Sequence, residues 1–587
     1  MSDNWKRITE LIEELYGKSD AEEILRQMEM RLQKVQTHMA GKPFQPQADM
    51  TLTERDAILI TYGDQFSANH QKPLAALSEF LNYHLADFIS GVHILPFFPF
   101  SSDDGFSVID YSQVDPDKGN WEDIAELEEH FKLMFDLVAN HISSQSEWFR
   151  KFIENKPPYD TYFMVEEPDT NLSNVVRPRA TPILTPFETT AGLKYVWTTF
   201  SVDQIDLNYQ NPQVLMEMID ILLFYVEKGA NLIRLDAIAY LWKIPGTSCI
   251  HLRQTHAVVK LFRAILDEVA PHVYLITETN VPHEENISYF GNEIDELGHT
   301  DEAQLVYQFP LAPLILHTFL TGNAGVLSDW AANLPALQPG TSFFNFTASH
   351  DGIGIRPAEN LLQPEEVEAL IEQTVKHGGM VSYKANTDGT QSAYELNITW
   401  YDALNDPAKP EEETDIARFL ASQAIMLSLA GVPGIYVHSL FGSRNCLDCV
   451  KETNRFRSIN REKFDLPTLV NEINETDQLK FRVFSGYKKL LAVRKEQAAF
   501  HPVASQKVIQ VFNQVFAVLR KALNGELVLC LINVTDGKTE FDLSCEDHGL
   551  PVDGIWRDLL SEAQVHASGE VKLELQPYQC CWYKLEN

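Results

Sequence analysis

The chain has 587 residues, of which 44% are hydrophobic, so it is long enough for two or more domains built around a large core. It carries 47 Lys and Arg residues against 83 Asp and Glu residues, a net charge of −36. Nucleic acids and anionic membranes bind basic surfaces, so this charge argues against both as partners. An anionic substrate would need a local group of arginines to offset the negative electrostatic field of the whole molecule.

The first 50 residues predict an N-terminal helical extension that ends in a polar linker. Ile8, Leu11, Ile12 and Leu15 have helical spacing, with charged residues between them. The segment lacks the uninterrupted apolar core of a signal peptide, and no apolar run of the chain is long enough to span a membrane. We therefore expect a cytoplasmic protein.

The seven cysteines do not resemble a disulfide framework, because their number is odd and they are scattered along the chain. Cys446 and Cys449 form a CxxC pair, but no second pair and no paired histidines complete a zinc site. We expect these thiols to be fortuitous.

After residue 50 the sequence changes to short apolar runs separated by helical patterns. Runs rich in β-branched and aromatic residues without strict alternation are typical of parallel strands covered on both faces. Eight of them occur, at 57–62, 91–98, 133–141, 231–237, 273–280, 305–309, 342–351 and 434–439. This pattern predicts an α/β fold, a (β/α)₈ TIM barrel formed by residues 51–141 and 201–490.

Two gaps between the runs are too long for ordinary crossovers. Residues 142–200 predict an inserted domain after the third strand, and residues 355–415 an inserted loop region after the seventh. Loops that follow the strands of such a barrel face the active site, so both insertions should wall the substrate pocket. Residues 495–587 alternate apolar and polar side chains and predict a small C-terminal antiparallel β domain.

Charged residues gather at the carboxyl ends of the predicted strands. Arg234 and Asp236 end the fourth run, Glu278 ends the fifth and Asp351 ends the seventh. Barrel enzymes carry their chemistry at this end, so the three carboxylates should meet at one mouth. Crowded like charges destabilise a fold, which makes a purely structural role for all three a weak explanation. For Arg234 and Asp236 alone, a structural ion pair is the alternative.

Four motifs carry a family resemblance: "DLVANH" (136–141), "RLDA" (234–237), "TETN" (277–280) and "ASHDG" (348–352). In this order they resemble the motif regions of the α-amylase superfamily of retaining α-glycosidases and transglycosylases. Within it, "HILPFFPFSSDDGFSVIDY", "VRPRA", "GTSC", "SHDGIG" and "RSINR" resemble the sucrose phosphorylase branch. The N-terminal extension, "ITETNVPHEENISYFG" and "AYELN" are most similar to the glucosylglycerate phosphorylases of that branch.

The resemblance implies catalytic roles for three residues. Asp236 would be the nucleophile, Glu278 the general acid/base, and Asp351 the stabiliser of an oxocarbenium-like transition state. A retaining reaction needs one ionised carboxylate to attack and one protonated carboxyl to release the leaving oxygen. We expect Arg234 to keep Asp236 ionised, and neighbouring carboxylates or burial to raise the pKa of Glu278.

The resemblance also implies the residues that hold the ligands. The glucose contacts would be Asp103, Phe106, His141, Arg234, His350 and Arg457. The phosphate and acceptor contacts would be Arg177, Arg179, Tyr394 and Glu395. Arg179 is favoured over Arg177 for phosphate, which a guanidinium binds through two hydrogen bonds. Glu395 stands where sucrose phosphorylases carry glutamine, so we expect a changed leaving-group pocket.

Together these features predict a retaining α-glucoside phosphorylase that transfers a glucosyl unit to inorganic phosphate and gives α-D-glucose 1-phosphate. The favoured substrate is 2-O-α-D-glucosylglycerate; sucrose, sucrose 6-phosphate and glucosylglycerol are the alternatives. A hydrolase or transglucosylase on the same barrel, or a non-catalytic carbohydrate-binding relative, are the competing interpretations. No cofactor and no metal is expected, since the six to eight oxygens that calcium needs cannot be assembled near Asn140. The chain would be a monomer or homodimer with small-molecule partners only.

Overall fold

The computed structural model of the chain describes residues 2–41, 51–179, 181–386 and 390–586. Eight parallel strands close into a barrel: β1 (Ile58–Tyr62), β2 (Gly91–Leu95), β3 (Lys132–Leu137), β4 (Ala230–Leu235), β5 (Tyr274–Thr277), β6 (Leu305–Tyr307), β7 (Ser342–Asn345) and β8 (Val432–Tyr436). Each strand pairs with its neighbour in sequence, and β8 pairs with β1. The predicted TIM barrel and its eight strands are confirmed.

The strands read as continuous apolar runs because both of their faces are covered. Every residue of β1, β2, β7 and β8 is buried. The main outer helices are Pro73–His84, Trp121–Glu128, Pro212–Glu227, Arg253–Val269, Leu311–Thr321, Gly325–Ala332, Glu412–Ser428 and Leu479–Arg494. Shorter helices are His283–Ile287, Trp400–Leu404, Leu447–Thr453 and Leu466–Glu472. None of the helices in the described ranges has the length and hydrophobicity that crossing a bilayer requires.

The N-terminal extension forms two helices, α1 (Asp3–Tyr16) and α2 (Lys18–Gly41). Ile8 and Ile12, on the predicted apolar face of α1, are fully buried. Ion pairs join both helices to the helical layer of the barrel: Arg7 with Asp267 at 2.9 Å, Arg253 with Glu14 at 2.6 Å, and Arg31 with Asp220 at 2.8 Å. The extension therefore adds to the outer layer of the barrel. The predicted linker lies, beyond Gly41, outside the described residues.

Both predicted insertions carry small sheets at the carboxyl end of the barrel. The first contains helix Glu147–Ile153 and a sheet of Val165–Glu166, Leu184–Thr189 and Gly192–Trp197. The strand His141–Ser143 at its start pairs with Gln204–Asp206. The second contains helix Pro364–Lys376 and the strands Met380–Ala385 and Gln391–Asn397, which form a sheet with Ile353–Gly354 just before the insertion. These sheets rise around the mouth of the barrel.

Beyond the barrel, eight strands form one antiparallel sheet, as the alternating pattern predicts. They are Ser505–Val508, Val515–Lys521, Leu527–Asn533, Thr539–Ser544, Asp553–Asp558, Gln564–Ser568, Glu570–Leu575 and Cys580–Glu586. One face of this sheet packs on the barrel and the other encloses a separate apolar cluster around Trp556.

The CxxC pair differs from the expectation of free thiols. Cys446 and Cys449 are joined by a disulfide. Cys446 precedes the helix Leu447–Thr453, and its sulfur accepts the amide hydrogen of Cys449. The first turn of a helix brings residues three apart together, so the spacing alone allows the bond without a metal.

Two buried arginines join the barrel to the C-terminal sheet. Arg494, at the end of an outer helix, is 2% exposed and donates to five backbone carbonyls: those of Glu54, Asp56, Leu427, Gly431 and Phe500. Arg520, in the sheet, donates to the carbonyls of Ser428, His501 and Ala504. Burial, together with the nearby charge of Arg520, lowers the pKa of Arg494 to about 9.

Replacing Arg494 with Met should destabilise the junction between barrel and sheet. The substitution leaves several buried carbonyls without a donor, and we expect the free energy of unfolding to fall by roughly 3 kcal/mol. Thermal and urea denaturation would measure the loss, with Arg55→Met, at an exposed arginine, as the matched control. Equal stabilities of the two variants would contradict the role given to Arg494.

Candidate active site

Three carboxylates follow three barrel strands and line one cavity at the carboxyl end of the barrel. Asp236 comes directly after β4, Glu278 directly after β5, and Asp351 lies in the loop after β7. The amide of Asp236 donates to the carbonyl of Leu137, and that of Glu278 to the carbonyl of Leu235, each at 3.2 Å. These bonds continue the parallel hydrogen-bond ladder of the barrel past the ends of the strands. They therefore hold the backbone of Asp236 and Glu278 to the barrel.

The guanidinium of Arg234 connects Asp236 and Glu278. Its Nη1 lies 2.7 Å from Asp236 Oδ1, and its Nη2 lies 3.9 Å from Glu278 Oε2. The amide of Ala237 donates to the same Oε2 of Glu278 at 3.1 Å. Ala237 has a φ of +49°, which few non-glycine residues adopt. The turn after Asp236 thus points the backbone N–H of Ala237 at the carboxyl group of Glu278.

Two residues not singled out in the sequence lie beneath this guanidinium. Asp136, on β3, accepts a hydrogen bond from Arg234, and its Oδ2 lies 2.6 Å from His93 Nε2, on β2. Asp136 and His93 are both fully buried. The signal for them was present in the sequence: Asp136 and His93 are titratable residues inside the apolar runs "LMFDLVANH" and "GVHILPFF".

The two acids beside Arg234 have shifted pKa values. The pKa of Glu278 is raised to about 7: burial is the largest cause, Arg234 opposes the rise, and the charges of Asp236 and Asp351 contribute to it. Burial likewise raises the pKa of Asp236, while Arg234 and His141 lower it. The raised pKa of Glu278 agrees with the prediction. Arg234 favours an ionised Asp236 as predicted, but burial outweighs it and the net shift is upward.

Arg457 is shared by two carboxylates. Its Nη1 lies 2.5 Å from Asp351 Oδ1, while its Nε and Nη2 donate to the two oxygens of Glu395 at 2.9 and 2.7 Å. The amide of Gly352 donates to Glu395 Oε1 at 2.7 Å. Glu395 is only 2% exposed. Its negative charge is therefore neutralised within the protein, and its oxygens are held beside the loop that carries Asp351.

The predicted glucose contacts all line the same cavity. Phe106 stacks on His350, with ring centroids 4.8 Å apart and planes at 3°. His141 Nε2 lies 2.9 Å from the carbonyl oxygen of Phe106. Burial raises the pKa of Asp103, but the guanidinium groups of Arg457 and Arg461 outweigh it and hold that pKa below its ordinary value.

Arg179 is the arginine of the first insertion that faces the cavity. Its guanidinium lies 5.3 Å from the ring centroid of Tyr394 and 6.0 Å from that of Phe200. Arg177, two residues earlier, donates to the carbonyl of Thr181 and lies outside the cavity wall formed by the described residues. The two inserted segments therefore meet across the cavity through Arg179 and Tyr394.

Of the residues predicted for the site, those that line this cavity are Asp103, Phe106, His141, Arg179, Arg234, Asp236, Glu278, His350, Asp351, Tyr394 and Arg457. Arg177 and Glu395 do not line it. The cavity also contains residues that the sequence did not single out: Phe200, Gln204, Tyr240, Asn280 and Asn460. Gln204 is 3.3 Å from Asp103 and 3.2 Å from His141. It lies at the end of the first insertion, where no strand pattern marks it.

A lysine ammonium occupies the position near Asn140 where a metal was considered. Lys243 Nζ lies 2.7 Å from Asp206 Oδ2 and 2.7 Å from Asn140 Oδ1. All three residues are buried. Within the described ranges, no group of three or more His, Cys, Asp or Glu residues is arranged to hold a metal ion. Lys243 thus ties the first insertion to the loop after β4 with a cation of its own.

Comparisons with known proteins agree with this geometry. The α-amylase catalytic domain family matches residues 74–323. The glucosylglycerate phosphorylase of Spirochaeta thermophila is 52% identical over 487 residues, which cover 83% of this chain and 81% of that protein. The one of Escherichia coli is 41% identical over 580 residues, covering 99% and 100%. The crystal structure of sucrose 6F-phosphate phosphorylase from Thermoanaerobacter thermosaccharolyticum matches with a TM-score of 0.71 at 25% identity, covering 83% of this chain and 96% of that one.

Removing the cation of Lys243 should destabilise the protein, whereas a chelator should not. Lys243→Met leaves the buried Asp206 unpaired, and we expect a loss of roughly 3–5 kcal/mol in the free energy of unfolding. The double variant Lys243→Met/Asp206→Asn should recover part of that loss. Thermal denaturation of wild type should be unchanged by EDTA; a lower midpoint in EDTA would show that a metal, rather than Lys243, is the stabilising cation.

Proposed function

The chain belongs to the sucrose phosphorylase branch of the α-amylase superfamily, and from that premise we propose that it transfers the glucosyl unit of 2-O-α-D-glucosylglycerate to inorganic phosphate with retention. The observation that carries the reaction is the pair of acids, Asp236 and Glu278, on one buried guanidinium. The names of the relatives that cover most of the chain support the substrate.

In the first half of the proposed reaction, Asp236 Oδ attacks the anomeric carbon of the bound glucosyl unit. The bond from that carbon to the glycerate oxygen breaks, and the leaving oxygen takes the proton of Glu278. A pKa of about 7 suits Glu278 to this task, because it keeps the carboxyl protonated near neutral pH while still allowing the proton to leave. The product of this half is glycerate and a β-glucosyl ester on Asp236.

In the second half, a phosphate oxygen attacks the anomeric carbon and the ester bond to Asp236 breaks. Glu278, now ionised, accepts the proton of the incoming phosphate when that oxygen carries one. Two inversions give net retention, so the product is α-D-glucose 1-phosphate. Arg179 is the proposed phosphate ligand, since it lines the cavity near Tyr240 and Tyr394 while Arg177 does not.

The sugar is held, in this proposal, by the predicted glucose contacts that line the cavity. Asp103 and Arg457 bind the hydroxyl farthest from the anomeric carbon, His141 and His350 bind other hydroxyls, and Phe106 packs against the ring. Asp351, on Arg457, stabilises positive charge on the ring as the bond breaks. Glu395 acts through Arg457, because both of its oxygens accept hydrogen bonds within the protein.

The central experiment compares products from 2-O-α-D-glucosylglycerate with and without phosphate. We expect α-D-glucose 1-phosphate, identified as the α anomer by NMR, to dominate whenever phosphate is present. Asp236→Asn should reduce turnover by about 10⁴-fold or more, because an asparagine amide cannot attack the anomeric carbon to form the glucosyl ester. If free glucose dominates in the presence of phosphate, the enzyme is a hydrolase; if Asp236→Asn changes nothing, the protein does not use this chemistry.

The pH dependence of the reaction should report the titration of Glu278. The acid must be protonated to release glycerate, so kcat/KM should be retained below about pH 7 and fall as the pH rises through it. Rates measured over roughly pH 5 to 9 would test this. α-D-Glucosyl fluoride is the matched substrate, because fluoride leaves without a proton. The same basic limb for both substrates would assign the titration to another group.

A further inference from the structure

One arginine close to the cavity has no role in the reaction described above. Arg356 is not itself among the described residues that line the cavity, but it follows Ile353 and Gly354, which do. Its side chain is 15% exposed, and its Nη2 lies 3.7 Å from Glu285 Oε2. Among the described residues its guanidinium has no closer hydrogen-bond or ion-pair partner. A guanidinium that is mostly buried and paired only at this distance retains most of its hydrogen-bonding capacity for a ligand.

The partner of Arg356 is itself loosely held. Glu285 is 45% exposed, and its Oε2 also lies 3.2 Å from His251 Nε2. His251 is oriented from its other side, where Nδ1 lies 2.9 Å from the hydroxyl of Tyr289. An exposed carboxylate that is shared between two groups is stabilised little by either of them. The anion of a ligand with better geometry can therefore replace Glu285 on Arg356.

The segment that precedes Arg356 packs against the loop that carries the proposed general acid. Glu278, which protonates the leaving oxygen, and Asn280 are on the loop after β5, and Gly354 lies against that loop: a Cβ on Gly354 would be 2.8 Å from the Asn280 side chain. Burial raises the pKa of the cavity residue Tyr240, and the charges of Arg356 and Arg179 both oppose this shift. Arg356 is therefore within electrostatic reach of the same phenol as Arg179.

Apart from Arg179, which is assigned to phosphate, the arginines that line the cavity are already engaged. Arg234 binds Asp136 and Asp236, and Arg457 binds Asp351 and Glu395. A carboxylate-bearing leaving group must approach three catalytic acids in a chain of net charge −36. Without a cation to receive it, this approach is unfavourable.

We propose that Arg356 binds the carboxylate of the leaving group, and so selects glucosides of small hydroxy acids over glucosides of neutral alcohols. The inference rests on the proposed function and deepens it. Arg356 is a specificity-determining residue here, whereas Arg179 remains available to phosphate. The two anions of the reaction are thereby received by different guanidinium groups.

The test compares wild type with Arg356→Gln on two α-glucosides, 2-O-α-D-glucosylglycerate and glucosylglycerol, in which a hydroxymethyl group replaces the carboxylate. For the variant, kcat/KM on glucosylglycerate should fall by about 10- to 100-fold, while kcat/KM on glucosylglycerol stays within about twofold of wild type. Arg356→Lys, which keeps the charge but loses the planar fork, should recover part of the loss. Arg482→Gln, which removes a remote, partly buried arginine from its carboxylates, is the matched control.

Two further measurements separate a loss of carboxylate binding from misfolding and from a loss of phosphate binding. Formation of glucose 1-phosphate from α-D-glucosyl fluoride should be unchanged in Arg356→Gln, which shows that the variant is folded and that phosphate still binds. Glu285→Gln should lower the KM for glycerate in the reverse reaction, because it removes the competing carboxylate. Equal loss on both glucosides, or no loss on either, overturns the role of Arg356. If wild type phosphorolyses none of these glucosides, the proposed function fails first.

Discussion

The site depends on one guanidinium buried at the centre of the barrel mouth. Arg234 is 2% exposed and contacts Asp136 below it and Asp236 and Glu278 above it. A buried cation is tolerated only if it is paired and hydrogen-bonded, and buried acids need such a cation in turn. Since each of the four side chains comes from a strand or directly after one, closure of the barrel fixes their geometry before any ligand arrives.

Two other cations, Arg457 and Lys243, are also paired with particular oxygens nearby. Arg457 is divided between Asp351 and Glu395, and Lys243 between Asp206 and Asn140. Each cation holds together segments that are far apart in sequence, so each pair also fixes an insertion against the barrel. The strongly acidic composition therefore does not make the pocket uniformly negative. Its electrostatics come from a few cations, each placed against particular oxygens.

Much of the architecture could be predicted because its sequence signals are local. Continuous apolar runs indicated the eight strands. Acidic residues at the ends of these runs predicted that Asp236, Glu278 and Asp351 line one cavity. The pairing of Glu395 with Arg457, 62 residues apart, has no local signal, and neither does that of Lys243 with Asn140. Arg177 and Arg179 are separated by one proline, and only the path of the loop decides which of them faces the cavity. The disulfide of Cys446 and Cys449 depends likewise on a helix beginning at that point.

The ammonium of Lys243 has a consequence for an enzyme that consumes phosphate. Inorganic phosphate complexes free calcium, so the co-substrate would compete with the protein for a divalent ion that tied the first insertion to the barrel. A cation attached through a covalent side chain cannot be withdrawn in this way. The fold can thus remain intact at the same high phosphate concentrations that drive phosphorolysis forward.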